Sequence, residues 1–168
     1  MLAVFQTHPV QYHAPVFRAV QQRHAVPVTA IYGSDFSVSG YRDREFGATF
    51  SWDTDLLAGY TPRFLSRVAD GGAADFEAVK PSPEMGAALD ELRPAAVMIC
   101  GYSPAFHRAA FSAARRRRLP ILFRAETSTA EPPALLKRLV RRFALRRLYA
   151  RCDRVLYIGS HARRHYEA

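Results

Sequence analysis

The chemistry-bearing side chains of this chain are concentrated in three places. Residues 7–15, THPVQYHAP, carry His8, Gln11, Tyr12 and His13, with Pro9 and Pro15 as stiffeners. An imidazole exchanges protons near neutrality because its unperturbed pKa is about 6.5, and a Gln amide both donates and accepts hydrogen bonds. Two histidines five apart in a loop, with no assured third ligand, make a poor zinc site, so no metal is expected. Arg124 and Glu126 stand two apart. In extended chain both point the same way, the guanidinium suited to a phosphate or carboxylate and the carboxylate to hydroxyls. The alternative is an ion pair with each other, or with Asp53 or Asp55. Trp52, Asp53 and Asp55 form the third group, where an aspartate ahead of Leu56-Leu57 also suits a helix N-cap. His8 and His13 have a plain structural reading too, as loop histidines bonded to backbone.

The elements that must position these groups alternate. Residues 2–6 are an apolar first strand, and residues 14–23 a helix with Pro15 in its first turn, where a missing N–H is harmless. THPVQYHAP is then the first strand-to-helix connection, and in an open α/β sheet such loops line the ligand crevice. Residues 26–32 are a second strand ending in the turn Gly33-Ser34-Asp35. Residues 33–60 lose periodicity but are rich in aromatics and acids, which favours a folded loop over the crevice.

A third strand is expected at 61–66, then a loop to Pro83. A helix at 83–93 follows, with Met85, Leu89 and Leu92 on one stripe. Residues 95–100 are a buried strand leading into Gly101-Tyr102, where Gly101 allows close backbone approach and Tyr102 lines the cleft. A helix at 104–117 turns Phe106, Ala110, Ala113 and Ala114 inward. Strands at 119–123 and 153–158 flank a long helix at 132–150, and a last helical piece starts at Gly159-Ser160. This order predicts an α/β fold, a Rossmann-like parallel sheet with helices on both faces.

Length and composition fit one domain with a real core: 168 residues, 49% hydrophobic and 23% charged. No run approaches the roughly 18 apolar residues of a membrane span, and the opening apolar run ends too early for a signal peptide. A cytoplasmic location is expected, with Cys100 and Cys152 as free, packed thiols. The net charge is +9, and of 24 basic residues only Lys80 and Lys137 are lysine. In the long helix, Leu135, Leu136, Leu139, Val140, Phe143 and Leu148 recur on one face. Arg138, Arg141, Arg142 and Arg146 lie on the other, either as a solvated face or as a surface for anionic lipid. No nucleic-acid motif appears, and the aromatics lie away from the arginines. Neither GxGxxG nor a Walker A motif is present.

The string His8-Pro9-Val10-Gln11-Tyr12-His13-Ala14-Pro15 resembles the opening of a group of bacterial glycosyltransferases, in the large family 4 class with the GT-B fold. The likeness continues in Phe46-Gly47, in Trp52-Asp53-Thr54-Asp55-Leu56-Leu57-Ala58-Gly59-Tyr60, in Gly101-Tyr102, in Arg124-Ala125-Glu126-Thr127 and in Tyr157-Ile158-Gly159-Ser160. The resemblance implies that residues 1–168 are the N-terminal, acceptor-side half of a two-domain enzyme, a fragment lacking the donor-binding domain and inactive alone. The full enzyme would move a sugar from a nucleotide sugar to a sugar or lipid-linked glycan. No cofactor is implied beyond that donor substrate. His8 and Glu126 would be catalytic, and Gln11, His13, Asp55, Tyr102 and Arg124 substrate-binding. Arg138, Arg141, Arg142 and Arg146 would touch the inner membrane face peripherally. Two other readings stay open: a non-catalytic Rossmann-like module binding anionic membrane or nucleic acid through the basic helix, and half of a nucleotide-sugar epimerase.

Overall fold

The structure is a computed structural model. It describes residues 1–39, 41–42, 49–50, 54–125 and 135–167, with backbone only for 41–42, 49–50 and 135–141. Trp52, Asp53, Glu126 and Pro132-Pro133 lie outside the described residues.

The strands are β1 Leu2–Gln6, β2 Val28–Tyr32, β3 Tyr41–Arg42, β4 Thr49–Phe50, β5 Thr61–Phe64, β6 Ala96–Cys100, β7 Ile121–Arg124 and β8 Arg154–Leu156. The helices are α1 Ala14–His24, α2 Glu84–Leu92, α3 Ala105–Arg116, α4 Leu135–Tyr149 and α5 Gly159–Glu167. Six strands form one all-parallel sheet in the order β5-β2-β1-β6-β7-β8. Counting only these six in chain order, the arrangement is 3-2-1-4-5-6, the doubly wound Rossmann order. β1 and β6 are the neighbours at which the order reverses.

The fold follows from how apolar residues alternate along the central strands. Ala3, Phe5, Val97, Ile99, Ile121 and Phe123 share one core with Met85 and Leu89 of α2, Phe106, Ala110 and Ala113 of α3, and Tyr166 of α5. Val4, Ala30, Tyr32, Met98 and Leu122 join the other with Ala14 and Phe17 of α1, Leu56 and Tyr60. Both faces are therefore covered, as a central parallel sheet requires, and each fully buried Phe or Ile contributes on the order of 2 kcal/mol. Pro94 follows a left-handed C-cap at Arg93 (φ 45°), which ends α2 where the sequence marks a stop.

Several expectations need correcting. The stretch from 33 to 60 holds a two-stranded hairpin, β3 with β4; strands of two residues are too short to show a period of two. Leu119 precedes its strand, and β8 is shorter than 153–158, with Arg154 and Leu156 exposed on the sheet edge. Phe143 does not join the core: it is 64% exposed beneath the Arg147 guanidinium (5.6 Å). No helix begins at Leu56, although the Asp55 carboxylate does accept the Leu57 N–H (2.9 Å). Both cysteines are free thiols, as expected.

Candidate functional site

All six strands are parallel, so the connections after β1, β6 and β7 leave the sheet at one edge, beside the switch point. There the β1–β2 pairing runs past both strands, with Gly33 N–H bonding the Gln6 carbonyl (3.0 Å) and Ser34 N–H the Thr7 carbonyl (2.9 Å). That ladder fixes the backbone as far as Thr7 and projects His8 from a rigid base. His8 stacks on Phe36 (centroids 4.4 Å) with Phe76 edge-on (6.3 Å), and the Thr7 hydroxyl lies 3.0 Å from its Nδ1. Ser37 donates to the Pro9 carbonyl (2.7 Å). The first residues of the long loop thus fold onto this connection, as its aromatic content suggests.

His13 immediately precedes α1, yet its side chain does not cap the helix. The ring turns instead to the sheet, where the Gln6 amide donates to Nδ1 (2.6 Å). This leaves the ring proton on Nε2, which is buried without a partner among the described residues, as is Gln6 Oε1. Gln6 and Val4 are two apart on β1, so Gln6 faces the α1 side of the sheet. Arg124 occupies the matching place on β7, two beyond Leu122 and in register with Cys100. It is 8% exposed, and its Nη1 has no hydrogen-bond partner among the described residues.

The other side of the switch point is built by α3. Gly101 takes φ +121°, a conformation that favours glycine. A Cβ there would sit 3.2 Å from His107 Cε1. His107, 2% exposed, donates Nδ1–H to the Ser103 carbonyl (2.8 Å), so its Nε2 carries the lone pair, again buried without a partner among the described residues.

Electrostatically these groups are one cluster. Burial, and then the His107 charge, lowers the His8 pKa to about 4. Burial, then Arg124, then His8, lowers His13 to about 3. Burial lowers His107 to about 4, against the Ser103 hydrogen bond, which raises it. At neutral pH all three imidazoles are therefore uncharged. They serve as hydrogen-bonding groups and weak bases, while Arg124 supplies the fixed charge. Among the described residues, no three His, Cys, Asp or Glu come together as a metal site.

Of the residues singled out from sequence, His8, His13 and Arg124 are brought together. Tyr102 lies half-buried against the α3-side core. Gln11 is exposed in the turn before α1. Asp55 is exposed and locally engaged, its carboxylate on Leu57 and its carbonyl on Arg18 (2.9 Å). No contact among the described residues joins Asp55 to the histidines. Glu126 and the side chains of Arg138 and Arg141 lie outside the described residues; Arg142 and Arg146 are exposed on α4.

Sequence reasoning missed Gln6 and His107. Both carried a signal: Gln6 continues the Val4 parity into the strand end, and His107 heads a 107-110-111-114 helical stripe. Compared with known proteins, the chain matches no family model and no curated protein.

Proposed function

We propose that these 168 residues are the acceptor-side half of a GT-B glycosyltransferase, taking part in sugar transfer from a nucleotide sugar to a sugar or lipid-linked hydroxyl. The observation that carries the reading is the gathering of His8, His13 and Arg124 at the switch point of a 3-2-1-4-5-6 sheet, where open α/β sheets bind ligands. The HPVQYHAP and WDTDLLAGY strings support it. In the reaction the acceptor oxygen bonds the anomeric carbon, the bond to the nucleoside diphosphate breaks, and the hydroxyl proton is released. A histidine of pKa about 4 is a weak base, so His8 orients the hydroxyl as a hydrogen-bond acceptor. Glu126 is the carboxylate assigned to the proton. Gln11, Tyr102 and Asp55 are the remaining candidate acceptor contacts.

The test is to express the whole reading frame that contains these residues and offer it nucleotide sugars with and without a glycan acceptor. Acceptor-dependent release of nucleoside diphosphate is expected. His8→Ala should lower turnover about a hundredfold, the scale of a misplaced reactant, while the chain stays folded with only the modest loss of midpoint that removing a ring stacked on Phe36 brings. Nucleotide-sugar conversion that ignores the acceptor would instead favour an epimerase, and unchanged turnover in His8→Ala would remove His8 from the mechanism.

A second property is favoured by α4, where Arg142, Arg146, Arg147 and a largely exposed Phe143 lie on one solvent-facing stretch. It is a candidate surface for peripheral contact with anionic membrane, compatible with transfer to a lipid-linked acceptor. Among the described residues no helix is long and apolar enough to cross a membrane.

A further inference from the structure

Among the described residues, two donors at the switch point lack acceptors. Arg124 Nη1 and His13 Nε2 belong to side chains more than nine-tenths buried, and neither atom has a hydrogen-bond partner among the described residues. Arg124 lies on the same sheet face as Gln6, which holds the His13 ring, two strands away across β6, and its charge lowers the His13 pKa. Burying a guanidinium is costly where its lost hydration is not replaced. Among the described residues no carboxylate is bonded to Arg124. Two helices, α1 and α3, begin beside this cluster. Neither has an acidic residue in its first turn, and neither N-terminus is capped by a side chain. Helix N-termini carry partial positive charge that acids usually complement, so two uncomplemented ones add to the field of Arg124.

We infer that Arg124 and His13 form an oxyanion-binding site, taking a phosphoryl or carboxylate group of a small ligand between Arg124 Nη1–H and His13 Nε2–H. Gln6 Oε1, also buried and without a partner among the described residues, accepts a hydroxyl beside that group. The ligand class is therefore a hydroxylated molecule carrying an acidic group, such as a sugar phosphate or a uronate. Tyr12, 49% exposed and edge-on to His13 at 4.8 Å, is the solvent-side wall beside it. This site is independent of whether the chain takes part in sugar transfer.

The test uses the 168-residue chain at pH 7 and constant ionic strength. Inorganic phosphate, glucuronate and, as a neutral control, glucose are titrated separately while the His13 ring and the Arg124 guanidinium are followed by NMR. Saturable shifts at both side chains are expected with phosphate, glucuronate or both, the responding arm naming the acidic group. Glucose should move neither, and the exposed His24 ring should stay still throughout. Arg124→Lys keeps the charge but loses the planar fork, so binding weakens by about tenfold. Arg124→Met abolishes the response and, with no anion present, raises the thermal midpoint, because a buried charge that no carboxylate among the described residues balances has been replaced by an apolar chain of similar length. No saturable shift with either anion would overturn the site. So would unweakened binding by Arg124→Met, or a lower anion-free midpoint in that variant, which would mean that the guanidinium is a structural group.

Discussion

His13 titrates at about 3, and His8 and His107 at about 4, all well below the ordinary imidazole value, and in each the first cause is burial. An unfolded chain takes up protons at these residues near pH 6.5. The folded one refuses them until pH 4 or below. Between those values the unfolded state holds more protons, so stability falls as pH falls, and the contribution is fully present only above about 6.5. Each such group steepens the dependence by up to about 1.4 kcal/mol per pH unit. His8, less buried than the other two, contributes less because water screens it. Urea midpoints should therefore hold between pH 8 and 7 and drop clearly from pH 6 to 5. His107→Gln, which keeps a polar side chain but cannot charge, should flatten that slope. A slope identical to the parent's would show that His107 does not govern acid sensitivity.

The β6–α3 connection is where backbone conformation and the candidate site meet. Gly101 combines positive φ with a close approach to His107, whereas Gly71 has positive φ (+76°) and nothing among the described residues within 4 Å of a Cβ. Alanine at either position meets backbone strain of about 1–3 kcal/mol. Only Gly101→Ala must also displace an imidazole. It should therefore lower the urea midpoint more than Gly71→Ala and shift the His107 ring resonances; equal losses with an unmoved ring would deny the contact its role. The same connection shows what could be read from sequence. Residues 95–100 announce a buried strand through an unbroken apolar run, and Gly101 announces a tight approach. What Gly101 approaches is fixed only once α3 packs and His107 turns back to the Ser103 carbonyl. Likewise Arg124 follows an apolar strand, but its burial depends on β7 lying beside β6, two places from β1. That long-range pairing leaves no mark in the local pattern. The β1 loop was legible because its residue types are unusual. The β3–β4 hairpin was not, because two-residue strands carry no period.

Across the whole molecule the excess charge is +9, and it is not spread evenly. Arg115, Arg116 and Arg118 crowd the end of α3, where cations complement the helix dipole, while Arg117 is held by Asp90 (Nε to Oδ1, 2.6 Å). Those residues have a structural occupation. On α4, Arg146 and Arg147 are exposed beside exposed Phe143, while Leu145 is buried and Leu148 and Tyr149 are half-buried. This stretch of α4 is amphipathic, but one aromatic stands on the wet side, under the Arg147 guanidinium. A solvated face has no use for Phe143 there, whereas a lipid headgroup layer would take both the ring and the cations. Each basic residue near an anionic bilayer is worth about 1 kcal/mol. Replacing Arg142, Arg146 and Arg147 together by Gln should then weaken partition onto phosphatidylserine-containing vesicles by roughly a hundredfold, the equivalent of about 3 kcal/mol. Phe143→Ala should weaken it further, without loss of thermal stability, since that ring buries little in the fold. Raising the salt should weaken the parent protein far more than the triple variant, because only the parent's attraction is screened. Co-sedimentation with vesicles of increasing phosphatidylserine content measures all three. If the parent fails to sediment with any of them at low salt, the exposed arginines of α4 are a solvated face and nothing more.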